Sequence, residues 1–162
     1  MKTITEREAL IQLSALCARG EHCTFEMQEK MRRWQLPDDQ QARVIERLVR
    51  DRYVDDERFA HAFVRDKIRY NKWGRRKVEQ ALWQKHIDEE IRRRVLDAVS
   101  DEEYLHVLRP LLQQKRRGLK AGSDYELNMK LIRFAMSRGF TMDIIRQCLD
   151  VEDEDQYLEA TD

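Results

Sequence analysis

Three apolar residues mark the same place in three stretches of this chain. Leu36, Ile87 and Phe140 each fall in a turn between two helical patterns, at separations of 51 and 53 residues. Val44, Val95 and Cys148 lie eight residues further on, and Met31, Leu82 and Ala135 lie five residues before. Such registration predicts a supersecondary unit of about fifty residues that cannot bury its apolar face alone and stacks on its neighbours. Only five glycines and two prolines interrupt 162 residues, and no stretch sustains the period-two alternation of a strand. The expected fold is therefore all-α: three tandem three-helix repeats forming an elongated, curved helical array. The units are predicted at 1–53, 54–100 and 101–150, with an acidic C-terminal tail at 151–162.

Local signals place the helices. Leu10, Leu13, Leu16 and Cys17 give residues 6–19 one apolar stripe, ended by Gly20. Thr24 suits the N-cap of a second helix carrying Met27, Met31 and Trp34, and Leu36-Pro37 breaks it. Asp38 and Asp39 suit the first turn of a third helix, with Val44, Ile45 and Leu48 inward. The pattern returns at 58–70, 75–85 and 89–99, then at 102–117, 125–138 and 142–149. Ser123 with Glu126 reads as a capping box, Gly139 as a C-terminal cap and Thr141 as an N-cap. Pro110 inside the seventh helix predicts a kink or a cost of about 3 kcal/mol.

Charge is balanced overall, with 31 basic and 31 acidic side chains, which excludes a uniformly basic nucleic-acid coat. It is segregated along the chain. Residues 58–94 hold twelve Lys/Arg against five Asp/Glu, whereas 150–162 hold seven acids and no base. Three cysteines without framework spacing suit a reducing compartment. Cys17, His22 and Cys23 fall short of the four donors of a structural zinc site, so no metal and no cofactor are expected. The start MKTITEREAL has no apolar leader core, and no segment has membrane-spanning length. A cytoplasmic monomer is expected.

The chemistry concentrates between Tyr53 and Ile87. At about 100° per residue, Phe59, Phe63 and Tyr70 share one arc of the fourth helix, and Arg58, Arg65 and Arg69 share another. The aromatics are expected to enter the core and the arginines to face outward, either toward a ligand or paired with Asp55, Asp66 or Glu79. Gly74 suits the N-cap of the fifth helix, whose first residues are Arg75, Arg76 and Lys77. Three cations at the positive end of a helix dipole are locally unfavourable, which an approaching anion would relieve. Lys72 and Lys85 extend the patch. Trp73 offers one ring for base stacking without a second platform. Trp83 points away from the apolar arc of Val78, Ala81 and Leu82, which fits either a helix contact or an interface anchor. His61, His86 and His106 have no partnered nucleophile or carboxylate, and no catalytic residues emerge. The chain is not expected to be an enzyme.

Tyr53-Val54-Asp55-Asp56-Glu57-Arg58-Phe59-Ala60, Phe63-Val64, Lys67, Lys72, Gly74, Arg75 to Val78, Leu82 and Lys85-His86-Ile87 resemble the signature of the RecX family of bacterial recombination regulators. Asp55, Asp56, Phe59, Phe63, Gly74, Leu82 and Ile87 are its structural members here. The family commonly has Lys-Gly-Ile where this chain has Lys85-His86-Ile87. The resemblance implies a non-enzymatic modulator of the RecA recombinase that binds the RecA filament on single-stranded DNA, lies along its groove, and suppresses strand exchange, ATP hydrolysis and co-protease activity. The contacts expected on that basis are Arg58, Arg65, Arg69, Lys72, Arg75, Arg76, Lys77 and Lys85. The alternative is a helical DNA-binding module acting without RecA.

Overall fold

A computed structural model describes residues 3–149. Among these the chain forms nine helices and no strand: α1 (Glu6–Arg19), α2 (Thr24–Arg33), α3 (Asp38–Arg50), α4 (Asp56–Arg69), α5 (Arg75–Gln84), α6 (Glu89–Asp97), α7 (Asp101–Arg117), α8 (Asp124–Ser137) and α9 (Met142–Cys148). The acidic tail lies outside the described residues.

The three marker turns share one hydrogen-bonding pattern. Gln35, His86 and Gly139, each one residue before its marker, hold the left-handed conformation at φ 58°, 56° and 92°. The N–H groups of Leu36, Ile87 and Phe140 then donate to the carbonyls of Met31, Leu82 and Ala135 at 3.0, 3.2 and 3.2 Å. This is the six-to-one bond that closes a helix in a Schellman turn. The apolar residues five apart in the sequence are thus the two ends of one hydrogen bond, and all six side chains are buried. The same 51-residue step relates Ala9 and Leu13 of α1 to Ala60 and Val64 of α4, and Met27 of α2 to Val78 of α5, all buried. Even a surface pair repeats: Arg43 Nε to Glu6 and Arg94 Nε to Glu57, both at 2.6 Å. Cys148, the counterpart of Val44 and Val95, is only half-buried.

The chain divides into two compact units, one of Met1–Phe63 with Leu82–Val95, the other of Val64–Ala81 with the chain from Leu96 on. In the first, α1 and α2 pack on α3. Their core is Ile4, Ala9, Leu13, Met27, Met31, Leu36, Val44, Leu48 and Val54. In the second, α7, α8 and α9 pack on one another. Leu105, Leu108, Leu131, Ile132 and Ile145 are buried there, each at most 1% exposed. Burying one such side chain contributes about 1.5–3 kcal/mol.

Several caps differ from expectation. Cys23, not Thr24, holds the N-cap position of α2. The N–H and hydroxyl of Thr24 instead donate to Asp56 Oδ1, at 2.8 and 3.1 Å. Ser123 accepts from the Glu126 N–H at 3.1 Å, but the Glu126 carboxylate accepts from the Gly122 N–H rather than from Ser123. That bond and Lys130 hold the Glu126 carboxyl below its ordinary range. Thr141 sits at the N-cap of α9 without a side-chain capping bond. A full capping box opens α7, through Ser100 and Glu103. Pro110 lies within α7, which is continuous from Asp101 to Arg117.

Candidate anion-binding interface

The signature residues of the first unit build the helix starts. Asp55 Oδ1 accepts from the Arg58 N–H at 3.0 Å and caps α4. Asp56, one residue on, caps α2 through Thr24. The two carboxylates that open the signature therefore serve different helices, each satisfying N–H groups that have no partner within the helix. Phe59 is 6% exposed, and its ring lies 5.5 Å from that of the half-buried Phe63. Tyr70 departs from the expected aromatic arc: it is 77% exposed. Its N–H still donates to the Asp66 carbonyl at 2.8 Å, but it lies one residue past the end of α4, whose buried side chains are Phe59, Ala60, Val64 and Ile68.

Two of the eight candidate cations are engaged in this unit. Arg58 Nε meets both carboxylate oxygens of Glu21, at 2.8 and 2.9 Å, and its Nη2 donates to the carbonyls of Arg52 and Tyr53. One guanidinium so ties the loop before α2 and the loop before α4 to α4 itself. The bond to Glu21 raises its pKa further. Lys85 Nζ lies 3.1 Å from Glu26 Oε2, while Glu26 Oε1 accepts from the Cys23 N–H. Burial alone would raise the Glu26 carboxyl, but these two donors outweigh it and hold it low. His86 takes the left-handed conformation that glycine adopts most easily, and its ring stacks on Phe25 at 4.1 Å. Trp83 is 64% exposed, so it does not pack into a neighbouring helix. Cys23 is buried, its thiol pushed up to about 12 by burial, and Cys17 Sγ lies 3.8 Å from Met27 Sδ.

The other six candidates belong to the second unit, whose segment 64–81 carries seven Lys/Arg against two Asp/Glu. Arg65 and Arg69, one turn apart on α4, are exposed, as is Arg76. Among the described residues these three make no ion pair. Lys72, left-handed at φ 58°, donates from Nζ to the Arg69 carbonyl at 2.8 Å and so caps the end of α4. Trp73 follows, with Lys67 Nζ 5.2 Å and Lys77 Nζ 4.9 Å from its ring centre. The indole thus gathers two ammonium groups, and a stacking base would compete with them. Arg75 Nη2 reaches Asp97 Oδ1 at 2.6 Å. Lys67 is absent from the eight candidates; a cation on α4 six residues before Trp73 was the available signal.

The start of α5 is occupied by protein. Gly74 N–H donates to the Arg138 carbonyl at 2.8 Å, and Arg76 N–H to the Gly139 carbonyl at 3.0 Å. A Cβ on Gly74 would lie 2.4 Å from the Phe140 backbone. The C-terminal turn of α8 therefore meets the N-terminus of α5, negative dipole end to positive. Gly74 is an N-cap chosen for close approach. The N–H groups of Gly74 and Arg76 are therefore taken by the turn after α8 and are not available to an outside anion.

Residues 55–96 match the second three-helix domain of RecX, and residues 101–149 match the third. The regulatory protein RecX of Vibrio parahaemolyticus is 30% identical over 155 residues, spanning 94% of this chain and 95% of that protein. The regulatory protein RecX of Acinetobacter baylyi is 29% identical over 141 residues, 86% of each. The crystal structure of RecX from Lactobacillus salivarius superimposes with a TM-score of 0.82 over 90% of this chain and 94% of that one, at 18% identity, so the fold is shared. With paired domain matches, a nearly full-length relative and the common helical repeat, this chain belongs to the RecX family of regulatory proteins.

Proposed function

We propose that this chain is a non-enzymatic regulator of RecA. It binds the RecA–single-stranded DNA filament along its groove and inhibits recombinase, ATPase and co-protease activity, so modulating recombination, DNA repair and the SOS response. It acts as a cytoplasmic monomer. The observation that carries this reading is the group Arg65, Arg69 and Arg76: three exposed guanidiniums without an ion pair among the described residues, in a segment with five more bases than acids. Exposed charges of one sign, held on helices, suit charge-complementary docking on an anionic surface. Lys72, Arg75 and Lys77 belong to the same segment of the chain. Arg58 and Lys85 contribute by holding the first unit together.

The test titrates wild type and an R65E/R69E/R76E variant against RecA ATPase on single-stranded DNA. Wild type is expected to suppress hydrolysis, and the variant to need at least about tenfold more protein for the same effect. Because the three side chains are exposed and make no ion pair among the described residues, the variant should melt within a few degrees of wild type. Equal inhibition by the two proteins removes this face from the mechanism. Bare single-stranded DNA bound as tightly as the filament favours a module that acts without RecA.

A further inference from the structure

Beside the start of α5, the second unit contains a cleft of about 70 Å³ lined by Arg75, Val99, Asp101, Tyr104, Phe140, Thr141 and Ile144. A single enclosed water needs only about 15 Å³. Tyr104 is 4% exposed, and its hydroxyl has no hydrogen-bond partner among the described residues. A buried hydroxyl left in that state costs stability, whereas phenylalanine of the same shape would not. Burial pushes the phenol up to about 12, so at neutral pH it is a donor. The Thr141 hydroxyl caps no helix, leaving a second uncommitted hydroxyl in the lining.

The lining also fixes the chemistry of what enters. Arg75, already paired with Asp97 at 2.6 Å, still presents N–H donors, and Asp101 presents a carboxylate, so the lining has no free positive charge for an anion. Donors come from Arg75, Tyr104 and Thr141; Asp101 and the hydroxyl lone pairs accept. Val99, Phe140 and Ile144 form apolar walls. A free anion would face Asp101, and a cation would face the N–H and O–H donors. A neutral group with an acceptor and a donor side by side, on an apolar stem, matches every wall. We infer that this cleft receives the carboxamide of a Gln or Asn side chain from the protein partner. As an assignment to a filament contact, this rests on the proposed function, since Arg75 immediately precedes the exposed Arg76 in α5.

The test uses the full chain and its Tyr104→Phe variant. Propionamide, sodium propionate and inorganic phosphate are titrated separately while the Tyr104 ring resonances are followed by NMR. Saturable shifts with propionamide alone, weakened at least about fivefold in the variant, are expected. Saturation by propionate or phosphate instead, or by none of the three, overturns the assignment. Thermal melting gives a second readout: the variant should be as stable as wild type or more so. A clearly lower Tm would mean that the hydroxyl is satisfied within the folded chain, and would overturn the inference as well. RecA ATPase inhibition is measured on the same two proteins, with Tyr104→Phe expected to need at least about fivefold more protein; equal inhibition overturns the filament-contact role. Propionamide binding by a wild-type protein that does not inhibit RecA leaves the carboxamide site standing and removes the proposed function.

Discussion

At Gly74 the sequence suggested an N-cap open to an anion, and the structure keeps the cap but fills the opening. A Cβ there would come within 2.5 Å of three backbone atoms of Gly139 and Phe140, and backbone cannot swing aside as a flexible side chain can. Gly74→Ala should therefore cost about 3 kcal/mol or more, by over-packing and by loss of the 2.8 Å bond to the Arg138 carbonyl. Gly20 provides the control: its backbone is extended and nothing lies within 4 Å of a built Cβ, so Gly20→Ala should change stability by less than about 0.5 kcal/mol. Urea denaturation of both variants measures the difference, and equal midpoints would show that the close approach at Gly74 is not structural. The contrast also shows what single residues disclose. Gly74 was identifiable as a cap because capping is local, but Arg138 is 64 residues away and no local rule points to it. Arg58 and Glu21 are separated by 37 residues and Lys85 and Glu26 by 59, so their pairing was hidden in the same way.

Helices and their turns were far more legible, because their signals are local. The marker positions five residues apart turned out to be donor and acceptor of one Schellman bond, which makes the repeat a repeat of hydrogen bonding as well as of hydrophobicity. Errors collect at helix ends, where one residue decides direction. Tyr70 shares a sequence arc with Phe59 and Phe63 but lies beyond the end of α4, and Thr24 suits a cap position that Cys23 holds. Pro110 is a different kind of element-scale feature. It is exposed on a helix that continues for seven residues beyond it, and its ring nitrogen cannot donate to the His106 carbonyl. Pro110→Ala restores that bond without disturbing a buried contact. It should stabilise the protein by about 1–3 kcal/mol, read as a higher urea midpoint with an unchanged m-value. An unchanged or lower midpoint would show that α7 depends on the proline.

For the whole molecule, zero net charge conceals an uneven distribution, and the function proposed here depends on what the exposed arginines meet. If Arg65, Arg69 and Arg76 contact DNA phosphates, each contact releases counterions, and binding weakens steeply with salt. If they contact carboxylates of the protein filament, the salt effect is ordinary screening and shallower. Neutralising them to glutamine separates the two cases without introducing repulsion. For three phosphate contacts on single-stranded DNA, the slope of log K against log salt should become less steep by about 2 in the R65Q/R69Q/R76Q variant. A change well below 1, with affinity still reduced, would assign the arginines to the protein component of the filament. No loss of affinity at any salt concentration would leave them outside the interface. The filament reading favours the intermediate result: reduced affinity for RecA-coated DNA at every salt concentration, and a slope change smaller than three phosphates require. On that reading the three guanidiniums, on α4 and α5, would meet carboxylates as well as phosphates.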